Sequence, residues 1–199
     1  MAATILLIRH AAHDDLDLRL SGRRAGVGLS AEGRAQAERL GRRLSTSGID
    51  QVMCSPLERT VETAAAITAA SGLNEAEHVD ALLEIDFGTW TGRTFDSLAD
   101  DAAWSRWNSE RHLAAPPDGE TMAQAQARIV GWIDAIARSA DGAVVAAVTH
   151  CDMIRAAVAH VLGLSLDKLL RFDIDPASIT TIVVGDWGAK LVRLNEKGE

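Results

Sequence analysis

The sequence predicts an α/β fold, a three-layer α/β/α sandwich around a mostly parallel sheet with an antiparallel edge strand. Three observations carry that expectation. Short apolar runs at residues 4–8, 51–54 and 143–148 each give way to a helical pattern, and such alternation builds a largely parallel sheet. The runs are continuous rather than alternating, as in strands covered on both faces. Two late runs, 179–184 and 191–194, flank Gly185-Asp186-Trp187-Gly188, a hairpin signal that puts an antiparallel pair at the edge.

The elements follow in order. Residues 4–8 form the first strand. Residues 9–29 are polar and carry Gly22, Gly26 and Gly28, so they form a loop, and loops this long are usually functional. Ser30 is placed to cap a helix whose apolar stripe is Ala37, Leu40 and Leu44 and which ends near Gly48. A strand over 51–54 leads into Ser55-Pro56-Leu57-Glu58. Ser55 as N-cap, Pro56 in the first turn and Glu58 completing a capping box predict a helix start there. That helix runs to about residue 70, with Gly72 near its end. Residues 78–83 form a weak strand, 84–93 a glycine-containing loop, and about 94–111 two short helices. The stretch 116–121, PPDGET, breaks the chain and opens a helix with Met122, Ala125, Ile129, Trp132, Ile133 and Ile136 on its buried face. The strand at 143–148 feeds a helix that stops at Gly163. Residues from about 84 to 120 thus form a helical excursion from the alternating core, placed to act as a lid.

The chain has 199 residues and is 47% hydrophobic, which suits one domain over 1–199. A formal charge of −8 argues against a nucleic-acid surface but not against a small anion, which needs only a few local cations. Cys54 and Cys151 are too few for a disulfide framework. No apolar stretch approaches a membrane span and no basic leader opens the chain, so the expectation is a soluble cytoplasmic protein with no membrane partner. A homo-oligomer is left open.

Chemistry-bearing residues gather at strand ends. Arg9-His10 follows the first strand, Ser55 and Arg59 the second, Glu84 the third and Thr149-His150 the fourth. In an open parallel sheet, ligands bind beyond the carboxyl ends of the strands, so these side chains are expected to converge. Two arginines offer planar forks of donors for phosphate oxygens. A histidine can act as covalent nucleophile and a rim carboxyl as general acid. Nearby guanidinium charge keeps His10 neutral, with the lone pair that attack requires. The set fits phosphoryl transfer through a phosphohistidine.

The residues LLIRH at 6–10, LSAEGRAQA at 29–37, CSPLERTVETA at 54–64, EIDFGTWTGR at 84–93, PPDGET at 116–121 and VTHCDMIRA at 148–156 together resemble the histidine phosphatases of the phosphoglycerate mutase-like superfamily, over nearly the full length. The resemblance implies that His10 is the phosphorylated nucleophile, that Arg9, Arg59 and His150 hold the phosphate, and that Glu84 protonates the leaving oxygen. It implies a metal-independent phosphatase with no cofactor, acting on a small phosphorylated metabolite. A phosphomutase and a non-catalytic phospholigand-binding protein are the alternatives. Mutases of this superfamily usually carry a longer insertion than the span from Glu84 to Thr121, which favours hydrolysis.

The chain departs from the family's Arg-His-Gly-Glu-Thr and its following Asn. Ala11, Ala12 and His13 stand in the first stretch, and Leu16 takes the place of the Asn, removing a phosphate contact. Cys151 stands where a glycine usually follows the second histidine, and is read as a small half-buried residue. His13 is read as a loop residue beside the reaction and a clue to substrate. Trp90 is expected to line the substrate opening; Trp104, Trp107 and Trp132 are expected to pack. No cysteine or histidine pair has zinc spacing, so no metal site is expected.

Overall fold

The computed structural model describes residues 2–197. Six strands form one sheet in the order β3-β2-β4-β1-β5-β6: β1 (Ala2–Arg9), β2 (Gln51–Cys54), β3 (Glu77–His78), β4 (Val144–Thr149), β5 (Ile179–Gly185) and β6 (Gly188–Glu196). The first four pair in parallel, while β5 runs antiparallel to both β1 and β6. Central β1 and β4 are in register from Thr4 opposite Val144 to Arg9 opposite Thr149, so both strand tips end at one level.

The two-residue period of β1 explains the layers. Ala3, Ile5 and Leu7 enter a core with Ile129 and Ile133 of α5 (Met122–Ser139) and Ile154 and Val158 of α6 (Cys151–Leu162). Leu6 and Ile8 face the opposite core, with Leu40 and Leu44 of α1 (Ala31–Leu44) and Ile67 of α2 (Glu58–Ser71). β4 divides in the same way, Val145 and Ala147 against Ala146 and Val148. Each fully buried Ile or Leu contributes about 1.5–3 kcal/mol from its apolar surface alone, so both faces must stay covered. The expected sandwich and antiparallel edge are present.

Local signals are realised at most helix ends. Ser30 caps α1 by accepting from the Gly33 amide, and Thr121 with Gln124 closes a capping box on α5. Gly72 and Gly163 take the left-handed conformation after α2 and α6. Two expectations fail. α2 starts at Glu58 after an extended Leu57, so Ser55 is no cap and the capping box does not form; the Glu58 carboxylate instead accepts from the Gly26 amide at 2.8 Å. The strand expected over 78–83 shrinks to Glu77–His78, followed by a 3-10 turn over Asp80–Leu82. The Arg128 guanidinium donates to the carbonyls of Ala81 and Leu83 there, which takes them away from strand pairing.

The excursion holds two short helices, α3 (Phe95–Leu98) and α4 (Ala102–Ser109). It is anchored from within: Phe87, Trp90, Leu98 and Trp107 belong to the core beneath α5 and α6. It is also tied to the loop after β1. Arg19 bridges Thr94, the Leu20 amide donates to Arg93 O at 2.9 Å, and the Gly92 amide donates to Leu20 O at 2.7 Å. Among the described residues, no helix is long and apolar enough to cross a membrane.

Candidate active site

The parallel strand ends deliver Arg9, His10, Arg59 and Glu84 to the wall of one cavity of about 260 Å³, whereas His150 and Ser55, both fully buried, do not line it. His10 and His150 leave the tips of adjacent β1 and β4, and their ring centroids lie 5.2 Å apart. Arg59 lies in the first turn of α2, 1% exposed, beneath the cavity.

Hydrogen bonds fix the tautomers. His10 Nδ1 lies 2.8 Å from Ala11 O, and a carbonyl only accepts, so Nδ1 carries the proton and Nε2 the lone pair. His150 is the reverse. Arg59 Nη2, which only donates, lies 3.2 Å from its Nδ1, so Nδ1 accepts and Nε2–H donates to Ser55 Oγ at 3.0 Å. Ser55 Oγ thus meets His150 as well as accepting, at 3.4 Å, from the Leu57 amide ahead of α2.

Charge is distributed to match. Burial, then the charges of Arg59 and Arg9, hold His10 well below its ordinary range. His150 is lowered by burial and Arg59 in the same way. Arg9 Nη1 donates to Ile174 O at 2.6 Å and Arg59 Nη2 to Gly22 O at 2.7 Å. Arg9 Nε and Arg59 Nε and Nη1 are buried with no hydrogen-bond partner among the described residues. Such unpartnered groups are rare in folded proteins.

Glu84 is held from several sides. Its Oε1 accepts from the Ile85 amide at 3.0 Å, and its carbonyl accepts from Arg23 Nε at 2.7 Å. Arg23 in turn meets Glu120 at 3.0 Å, and Glu120 takes both Nε and Nη2 of Arg128. Gly88 lets this loop lie against the 116–121 turn, since a Cβ there would collide with Pro117 O. Burial and the Asp152 carboxylate push Glu84 up to about 7, against the opposing pull of Arg59. Burial also raises Asp152, but Arg111 and Arg155 outweigh it and hold that carboxyl low. Sequence reasoning missed Asp152, Arg111 and Arg155, which also line the cavity. The i,i+3 spacing of Asp152 and Arg155 just after His150 was their available signal.

Trp90 needs correcting. It is 1% exposed, packs edge-on against Trp104 at 5.3 Å and Trp107 at 6.3 Å, and does not line the cavity. Trp104, expected only to pack, forms part of the wall. His13 also departs from expectation: it is 7% exposed, lines the cavity, and its ring stands 5.3 Å from that of His10. Cys151 lines the same cavity half-buried, and burial pushes its thiol up to about 11, so it is no thiolate at neutral pH.

A sequence profile described as the histidine phosphatase superfamily (branch 1) matches residues 5–197. The chain belongs to this superfamily. Among curated relatives, this histidine phosphatase is 30% identical to phosphoserine phosphatase 1 of Hydrogenobacter thermophilus, over 96% of this chain and 91% of that one. It is 34% identical to a bifunctional protein of Mycobacterium tuberculosis over 98% of its own length, but spans only 54% of that protein. Among solved structures, YhfR of Bacillus stearothermophilus superposes with a TM-score of 0.91 at 26% identity, covering 98% of this chain and 97% of that one.

Proposed function

We propose that this histidine phosphatase hydrolyses a small phosphate monoester through a phosphohistidine on His10, without a metal. One observation carries the reading: the donor bond from His10 Nδ1 to Ala11 O leaves the Nε2 lone pair as nucleophile, in a cavity where Arg9 and Arg59 present unpaired N–H groups. Substrate phosphate would lie against those arginines, with His150 orienting Arg59 through its Nδ1 and itself held by Ser55 through its Nε2–H. His10 Nε2 attacks phosphorus as the ester oxygen leaves. Glu84, raised to about 7, gives that oxygen a proton. The resulting carboxylate then takes a proton from the water that attacks phosphohistidine, releasing phosphate and restoring both groups. The phosphoserine phosphatase relative supports a small phosphorylated metabolite as substrate.

The test is p-nitrophenyl phosphate hydrolysis in EDTA, together with trapping of acid-labile, alkali-stable label on the protein. Wild-type enzyme is expected to turn over and take up label, and His10→Ala to do neither. Hydrolysis that survives His10→Ala, or that requires added metal, would overturn the mechanism. Label transferred to a second hydroxyl without phosphate release would make the enzyme a mutase.

A further inference from the structure

We propose that His13 is a further catalytic residue, donating its ring N–H to the phosphoryl group that His10 attacks; this rests on the phosphohistidine reading above. His10 has two imidazole neighbours at nearly equal distance, His150 at 5.2 Å and His13 at 5.3 Å, and the His13 ring is tilted 35° to it. His13 is 7% exposed, yet its Nδ1 is buried without a hydrogen-bond partner among the described residues. That contrasts with the backbone around it, where several groups have partners. The Ala11 amide donates to Thr63 Oγ1, and the Ala12 amide to Gln36 Oε1. Ala12 O accepts from the Ser30 amide and hydroxyl, and His13 O accepts from the Leu16 amide. The loop is pinned on both sides of a ring that makes no use of its own Nδ1 toward the protein. Buried polar atoms of this kind normally have a partner, and a phosphate oxygen would supply one.

Leu16, three residues on, lines the same cavity as His13 and has nothing to donate. Burial and the Arg59 charge bring His13 down to about 4, so at neutral pH it is an uncharged ring with one N–H. It adds a donor without adding a proton that could compete with Glu84.

The experiment compares His13→Phe, His13→Ala and His13→Asn with wild type. It reads the vanadate inhibition constant, the inorganic phosphate dissociation constant by calorimetry, and kcat/KM on several monoesters. His13→Phe keeps an aromatic ring and removes the N–H. A hydrogen bond to a charged group corresponds to roughly a 10- to 100-fold change. His13→Phe and His13→Ala are therefore expected to weaken vanadate and phosphate by about that factor. Loss of kcat/KM should be alike for every monoester, with part of it regained in His13→Asn. Unchanged vanadate and phosphate affinity in the folded variants, or losses confined to one leaving group, would overturn the assignment. Phosphoenzyme label separates the two readings. An unlabelled wild type overturns the phosphohistidine mechanism, while calorimetry with phosphate still decides His13.

Discussion

Glu84→Gln tests the proton donor through stability as well as rate. The carboxyl is 12% exposed and rises from an ordinary 4.5 to about 7, so little of the effect is screened away. At about 1.36 kcal/mol for each pH unit, that rise corresponds to roughly 3 kcal/mol. The folded pKa lies above the unfolded one, so the protonated group contributes its full stability below about pH 4.5. That contribution is lost as pH rises toward and through about 7, because the unfolded chain ionises first. The amide introduced by Glu84→Gln does not titrate and can keep the bond from the Ile85 amide. The stability gap between variant and wild type should therefore widen in the variant's favour by roughly 3 kcal/mol between about pH 4 and pH 8. For a chain of this size that is about 6–12 °C in Tm. Urea unfolding of both proteins across that range measures it. In parallel, the variant should lose more activity on alkyl phosphates than on p-nitrophenyl phosphate, whose leaving group needs no proton. A gap that stays flat with pH would mean that Glu84 ionises normally, and would refute its role as acid near neutrality.

Three other substitutions probe the support of the site. Ser55→Ala strands the buried His150 Nε2 and should destabilise the fold by about 1–3 kcal/mol, with kcat falling as well; an unchanged kcat would mean that the Ser55 bond does not position His150 for the reaction. Gly33→Ala places a Cβ against Ala12 O, so the loop holding His10 and His13 must shift. Its expected signature is a sharp drop in kcat/KM, read beside a circular dichroism spectrum that stays native. Trp90→Ala should cost about 3–5 kcal/mol as a core cavity, measured by urea unfolding, with KM changing little at temperatures where the variant is folded. A large rise in KM with unchanged stability would restore Trp90 to the substrate opening.

The sheet was legible because its signals are local and redundant. Strands buried on both faces must be continuous apolar runs, and β1, β2 and β4 are. Their polar tips, Arg9-His10 and Thr149-His150, break that pattern so abruptly that the crevice could be placed from sequence. The errors share a cause, which is competition from residues distant in sequence. Ser55 has ideal capping chemistry, but His150, 95 positions away, takes its hydroxyl. The 78–83 strand loses its carbonyls to Arg128 on α5. His13 reads as a solvated loop residue until Ser30, Gln36 and Thr63 tie its neighbours to the body of the fold. Trp90 and Trp104 differ only in which side of one excursion each ring falls on, and no periodicity records that.

Two carboxyl groups of the cavity, Glu84 and Asp152, sit in contrasting environments. Asp152 is locked as a carboxylate by Arg111 at 3.1 Å and Arg155 at 3.4 Å. Its fixed negative charge, added to burial, is what keeps a proton on Glu84. Environments that drive two carboxyls apart in this way sort them into separate roles. The three imidazoles are held below their ordinary range, and of the cavity's arginines Arg111 and Arg155 pair with Asp152 while Arg9 and Arg59 keep unpartnered N–H groups. On the proposed mechanism, the arriving dianion adds negative charge beside Glu84 and tightens its hold on the proton until the ester bond breaks. The departing alkoxide then takes that proton, and the carboxylate left behind is the base the second step requires. One electrostatic arrangement thus serves both half-reactions, with the substrate's own charge setting when Glu84 changes role.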